Sequence, residues 1–214
     1  MKVRDPAYVV VEGPIGVGKT TLATRLAASL GREVLLERAD ENPFLPRFYE
    51  DPRSGALPTQ LFFLFQRARQ IAGLRQGDLF RPGLVADFLV QKDELFARVN
   101  LDGPELELYY EVYNRLTLEA PVPDLVIYLQ APVEVLLRRI YARGVEYERR
   151  IDEDYLRRVA EAYVEFFYHY SESPLLIVNT AELNLVEGGR DYELLLERIR
   201  STTSGRHYLN PAGQ

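Results

Sequence analysis

No cysteine occurs in the 214 residues. Its absence removes disulfides, thiolate nucleophiles and zinc–sulfur centres from consideration. Tryptophan is also missing, methionine occurs once, and the only histidines are His169 and His207. That leaves little material for a histidine-based triad or a His-rich metal site. Lysine is scarce: Lys and Arg total 26, and only Lys2, Lys19 and Lys92 are lysines. There is no apolar run of the ~18 residues that a membrane span needs. The opening MKVRDPAYVV has no long apolar stretch of the kind a secretory signal carries, so a soluble cytoplasmic protein is expected. Net charge is −6 with a pI near 5.2, which argues against a general nucleic-acid binder. Any bound anion must be met by local positive charge.

What is present is led by residues 9–21, VVVEGPIGVGKTT. Residues 13–20 match G-x-x-x-x-G-K-[ST], the phosphate-binding P-loop, at every fixed position. The context agrees. Residues 7–11 read as a buried strand, and residues 21–30 as a helix stopped by Gly31. Gly13, Gly16 and Gly18 free the backbone to approach phosphate. Pro14, Ile15 and Val17 fill the loop, and the helix start at Thr20 and Thr21 aims amide N–H groups at the anion. Lys19 is expected on the β and γ phosphates of ATP, and the Thr20 hydroxyl on Mg²⁺. A lysine kept at this position of an Arg-biased chain suggests a compact point charge is wanted there.

Further along, short apolar runs alternate with helical patterns. This predicts a single α/β domain over residues 1–214, built on a parallel sheet with crossover helices. Strands are expected at 33–37, 83–90, 125–129 and 175–178. Helices are expected at 57–74, from 103 to about 118, from 132 to 144, from 152 to about 170, and at 191–200. The Pro- and aromatic-rich segment 42–52 reads as irregular with a short helix. The tail from about 202 reads as loose.

A P-loop serves GTPases, motor ATPases and small-molecule kinases alike. A guanine-reading N-K-x-D is not found after the fifth strand, where residues 178–181 read VNTA. Motor and transporter ATPases usually carry more chain. A kinase needs an acceptor site, a proton acceptor and cations over the transferring phosphate. Glu37 ends the second strand, where the ligand crevice of a parallel sheet opens, and could serve as general base. Asp87 ends the third strand and could join the metal shell, orient the acceptor or merely cap the strand. Arg138, Arg139, Arg143, Arg149 and Arg150 supply candidate phosphate cations, although most of such a run is ordinarily a solvated helix face.

Taken together, 12–23 (EGPIGVGKTTLA), Glu37 with 41–51 (ENPFLPRFYED), 60–67 (QLFFLFQR), 85–97 (VADFLVQKDELFA), 123–132 (PDLVIYLQAP) and 138–148 (RRIYARGVEYE) resemble the deoxyribonucleoside kinases, in particular the bacterial deoxyguanosine/deoxyadenosine kinase group. The resemblance spans nearly the whole chain. It implies a P-loop kinase fold with a five-stranded parallel sheet, helices on both faces and an Arg-bearing lid, transfer of the γ-phosphate of ATP to the 5′-hydroxyl of a deoxyribonucleoside for nucleotide salvage, and a homodimer. It implies Glu37 as general base, Tyr49 and Glu148 on the sugar 3′-hydroxyl, and Gln60 on the base edge beside Arg67. Phe96 would stack on the base, and Arg139 and Arg143 would belong to the lid.

Two departures stand out. Many members carry an acid-Arg-Ser triplet after the third strand, whereas this chain reads Ala86-Asp87-Phe88. The lid commonly reads Arg-Gly-Arg, whereas this chain has Arg143-Gly144-Val145, so one lid cation is absent or replaced by Arg149 or Arg150. The Gln60 amide suits several bases. Lys92, a donor only, would suit guanine O6 or be an ordinary surface lysine. The reading is therefore a purine, guanine slightly ahead of adenine. Two alternatives remain: a nucleoside monophosphate kinase of the thymidylate type, drawing on Arg47, Arg53 and Arg67 for the acceptor phosphate, and a non-catalytic nucleotide sensor.

Overall fold

A computed structural model describes residues 5–75, 83–116, 120–183 and 189–210. Its centre is β1 (Tyr8–Glu12), whose Val9, Val10 and Val11 are fully buried. Flanking it are β2 (Glu33–Leu35), β3 (Leu84–Ala86), β4 (Leu125–Gln130), β5 (Leu175–Asn179) and β6 (Arg206–Leu209). All six run parallel, in the order β2-β3-β1-β4-β5-β6. The order reverses beside β1, so β1, β3 and β4 open a crevice at their carboxyl ends.

Successive strand residues face opposite layers. Val9 and Val11 of β1, with Ile127 and Leu129 of β4, pack against α1 (Lys19–Leu30), α6 (Val133–Arg143) and α8 (Arg190–Ser201). Val10, Val126 and Tyr128 point the other way, to α4 (Lys92–Asn100) and α7 (Glu153–His169). There Tyr128 stacks on Phe167 with ring centroids 4.1 Å apart. A third cluster joins α2 (Leu45–Glu50), α3 (Pro52–Arg75) and α5 (Gly103–Arg115) around Phe48, Leu64 and Tyr109.

Five elements differ from the sequence reading. The sheet has a sixth strand: β6 occupies the stretch expected to be loose and pairs with β5 from Leu175↔Arg206 to Val178↔Leu209. It is a four-residue edge strand that buries only Leu209, so its own pattern carries almost no signal. Helix α3 begins at Pro52 rather than at 57, and it accommodates Pro58 internally. Strand β3 stops at Ala86, and α4 begins at Lys92 in a stretch not predicted to be helical. Strand β2 is shorter than expected and leaves Glu37 beyond its end. The expected end of α5 near 118 lies outside the described residues.

Candidate active site

The P-loop leaves β1 at Glu12 and enters α1 at Lys19. Gly13 has φ +149°, and a Cβ there would lie 2.5 Å from the Leu129 carbonyl. Gly16 has φ +82°, and its Cβ would meet Ile140 Cγ1 at 2.7 Å and the Leu136 carbonyl at 2.8 Å. A side chain is thus excluded at both positions twice over, by space and by backbone conformation. Lys19 folds over the loop, its Nζ donating to the carbonyls of Gly13 at 2.7 Å and Pro14 at 3.2 Å. Burial lowers the Lys19 pKa and nearby Lys92 adds to this, against the pull of Glu12, Glu37 and Asp87.

Two clefts meet on this loop. One, about 820 Å³ with its open mouth included, runs from Ile15, Gly16, Lys19 and Thr20 past Glu37 to α2, α3 and α4. The other lies behind the loop, on Val17, Gly18 and Thr21, beneath Arg139 and Thr180. Gly16, Lys19, Thr20 and Arg143 line both.

The strand-end acids converge here. Asp87 follows β3 and bridges two elements: its Oδ2 accepts the Thr20 hydroxyl at 2.6 Å, and its Oδ1 accepts the Glu37 N–H at 2.6 Å. It therefore links the position expected to hold metal to the backbone of the position expected to hold the base. Burial raises its pKa, and those two hydrogen bonds pull it back. Thr20 and one carboxylate, with phosphate oxygens and water, form a donor set that suits Mg²⁺, which binds few protein ligands. Among the described residues no group of three His, Cys, Asp or Glu could by itself hold a metal.

Glu37 is held on both oxygens. Oε1 pairs with Arg67, and Oε2 accepts from Lys92 Nζ at 2.8 Å. Burial alone would raise its pKa, but Arg67 and Lys92 outweigh that and bring it down to about 2. The folded chain then binds this proton more weakly than the unfolded chain. The pairing stabilises the fold fully above the ordinary carboxylate value of 4.5, and loses that effect as pH falls towards 2. The stability deficit of Glu37→Gln, measured by urea unfolding, is expected to be full at about pH 7 and to shrink towards about pH 3. A deficit constant with pH would contradict this origin.

The remaining expected substrate contacts lie along the cleft on the Glu37 side, the inner cleft. Gln60 and Arg67 project from α3, both 3 % exposed, and Phe96 from α4. Phe96 meets Tyr163 edge-on at 5.9 Å. Tyr49 of α2 stacks on Tyr147 at 6.1 Å, and Glu148 beside it pairs with Arg143 at 2.5 Å. Burial raises the Tyr49 pKa well above its ordinary value, with Tyr155 and Glu148 adding to it, so its hydroxyl stays a donor.

The arginines divide. Arg143 lines both clefts. Arg139 donates to the carbonyls of Val17 at 3.3 Å and Thr180 at 2.6 Å, and to the Thr180 hydroxyl at 3.0 Å, which places it on the outer cleft alone. Arg150 pairs with Glu50 on the surface, and neither it nor Arg149 lines either cleft. The Ala86-Asp87-Phe88 departure is filled by packing: Phe88 is buried with Ile71 and Val90, and the cations beside Glu37 come from Arg67 and Lys92.

Sequence reasoning missed three site residues. Glu12, fully buried, accepts from Gly13 N–H and Tyr163 Oη at 2.9 Å and from Leu89 N–H at 2.7 Å. Asp93, 1 % exposed, pairs with Arg67. Tyr163, 1 % exposed, packs edge-on against Phe96 and donates to Glu12. The available signal for Glu12 was a charge at the end of an otherwise apolar buried strand.

A sequence model of the family described as deoxynucleoside kinase matches residues 9–204. The chain belongs to the deoxynucleoside kinase family. This deoxynucleoside kinase is 34 % identical to the deoxyguanosine kinase of Bacillus subtilis strain 168 over 198 residues, covering 90 % of this chain and 96 % of that one. It is 30 % identical to the deoxyadenosine/deoxycytidine kinase of the same organism over 205 residues, covering 91 % and 92 %. The structure of M. mycoides deoxyadenosine kinase with products dCMP and a flexible dCDP bound superposes with a TM-score of 0.78 at 26 % identity, covering 91 % and 99 %. The kinase is thus a phosphotransferase acting on nucleosides in salvage, on a P-loop kinase fold. Among its described residues, no helix is long and apolar enough to cross a membrane.

Proposed function

We propose that the enzyme, as one domain spanning residues 1–214, transfers the γ-phosphate of ATP to the 5′-hydroxyl of a deoxyribonucleoside, a purine by preference and deoxyguanosine slightly ahead of deoxyadenosine. The observation that carries this reading is the meeting of two clefts on Gly16, Lys19, Thr20 and Arg143, with Glu37 on the inner side. ATP occupies the outer cleft, its phosphates cradled by residues 13–21 and Lys19. Thr20, with Asp87 behind it, would hold Mg²⁺, which would supply charge neutralisation for the transferring phosphate. The nucleoside fills the inner cleft. Gln60, with Arg67 beside it, reads the base edge, Phe96 packs on the base, and Tyr49 and Glu148 hold the 3′-hydroxyl. Glu37 accepts the 5′-hydroxyl proton, while Arg143 and Arg139 offset phosphoryl charge from the lid side.

A monophosphate acceptor is not favoured. Arg47 and Arg53 are exposed and line neither cleft, while Arg67 is committed to Glu37 and Asp93. A homodimer in the cytoplasm completes the reading. Val164 and Tyr168, one helical turn apart on α7 and 54 % and 70 % exposed, offer a face for the second copy.

The test supplies ATP, Mg²⁺ and each of the four deoxynucleosides, alone and in competition, with dTMP as control. The expected result is a 5′-monophosphate, formed fastest from deoxyguanosine. No turnover of any nucleoside, or faster turnover of dTMP, would refute the assignment.

A further inference from the structure

The two lysines among the described residues both reach the inner cleft. The phosphate cradle accounts for Lys19 but not for Lys92. Lys92 opens α4, and its side chain is 2 % exposed. Its ammonium lies 2.8 Å from Glu37 Oε2 and 3.7 Å from Glu12 Oε2. Glu12 is itself immobilised. Gly13 of the P-loop, Leu89 ahead of α4 and Tyr163 of α7 all donate to it. Lys92 thus joins a fixed carboxylate to the one that faces the P-loop. Arg67 takes the other oxygen of Glu37, so the carboxylate has its orientation set at both ends. An ammonium on a flexible stem suits a gap between two carboxylates, whereas a planar fork would demand more room. The chain uses arginine almost everywhere else.

We propose that Lys92 is a positioning residue for phosphoryl transfer: it ties Glu37 to the Glu12 anchor and keeps its oxygen aimed at the P-loop, and it does not read the nucleobase. This rests on Glu37 being the general base. It predicts a loss in kcat common to all nucleosides. A lysine on guanine O6 would instead alter KM and the ratio of deoxyguanosine to deoxyadenosine.

The test is a double-mutant cycle on the full chain with Lys92→Met, Glu37→Gln and both together, each assayed with the two purine deoxynucleosides. Lys92→Met is expected to lower kcat by about 10²-fold, within the 10²–10⁴-fold that a general base supplies. It should move the nucleoside KM and the purine ratio by less than about 3-fold, and cost less than about 3-fold more once Glu37 is Gln, because residues acting as one unit do not add. Additive losses overturn the proposal, and so does a shift in the purine ratio at normal kcat. A Glu37→Gln enzyme as fast as the wild type overturns the base assignment itself, while wild-type turnover reports separately on the kinase reading. Removing a buried cation can unfold the chain, so a second variant is included. Lys92→Cys creates the chain's only thiol, which is alkylated, after denaturation where required, and refolded. Aminoethylation is expected to restore kcat at least tenfold over carbamidomethylation; equal activity of the two overturns the proposal.

Discussion

Glu37→Gln is expected to lower kcat for nucleoside phosphorylation by about 10²–10³-fold, the lower part of the range for a general base. The substitution keeps the size of the side chain and an oxygen for Arg67 or Lys92. It removes the anion and with it the ability to take a proton. The pKa of Glu37 argues for the lower part of the range. Held at about 2 by Arg67 and Lys92, the carboxylate is a weak base. Phosphoryl transfer tolerates this, because bond formation to the acceptor oxygen lags in a loose transition state and the proton leaves late. The same value keeps Glu37 ionised through the neutral range, so no limb of the pH–rate profile between about pH 5 and 8 should vanish in the variant. ATP affinity should change by less than about 3-fold, since the cradle amides and Lys19 are untouched. Product formation under saturating ATP, normalised to folded protein, checks the prediction. Turnover above a tenth of wild type would take the base role from Glu37.

Much of this site was legible before any coordinates. The P-loop declares its own backbone geometry, and an acid placed after a parallel strand is directed to the crevice by topology alone. Glu37 and Asp87 were located by that logic, and both line the inner cleft. Helix α4 was not legible, because residues 83–90 read as one apolar run. What ends the strand at Ala86 is tertiary: Asp87 turns its carboxylate to Thr20 and to the Glu37 amide, and Phe88 drops into the core with Ile71 and Val90. Strand β6 was illegible for a related reason. Three of its four residues are exposed, and only the neighbouring edge of β5 makes them a strand. The role of Glu12 depends on Leu89 and Tyr163, which lie 77 and 151 residues away, and no local pattern encodes such partners.

The inner cleft also concentrates unlike charges at low exposure, and the stability cost of disturbing them should fall most heavily at Arg67. Its side chain is 4 % exposed, and its guanidinium is the cation shared by Glu37 and Asp93, 5.3 Å from the Phe63 ring centroid and 6.0 Å from that of Phe88. Glu37 retains Lys92 if Arg67 is lost. Asp93 does not have that recourse: its side chain is 1 % exposed, and its Oδ2 has no hydrogen-bond partner even with Arg67 present. Arg67→Met keeps most of the apolar stem but leaves a buried carboxylate without its cation. Breaking a buried pair from one side costs about 3–5 kcal/mol. For a chain of this length that corresponds to a Tm lower by roughly 6–20 °C. The origin of the loss is separable from packing. Adding Asp93→Asn neutralises the stranded partner, so Arg67→Met/Asp93→Asn should recover at least half of the loss even though it carries one more substitution. Calorimetry on the two single variants and the double decides the matter. A double variant less stable than Arg67→Met alone would mean that contacts with Phe63 and Phe88, rather than the charge on Asp93, make Arg67 necessary.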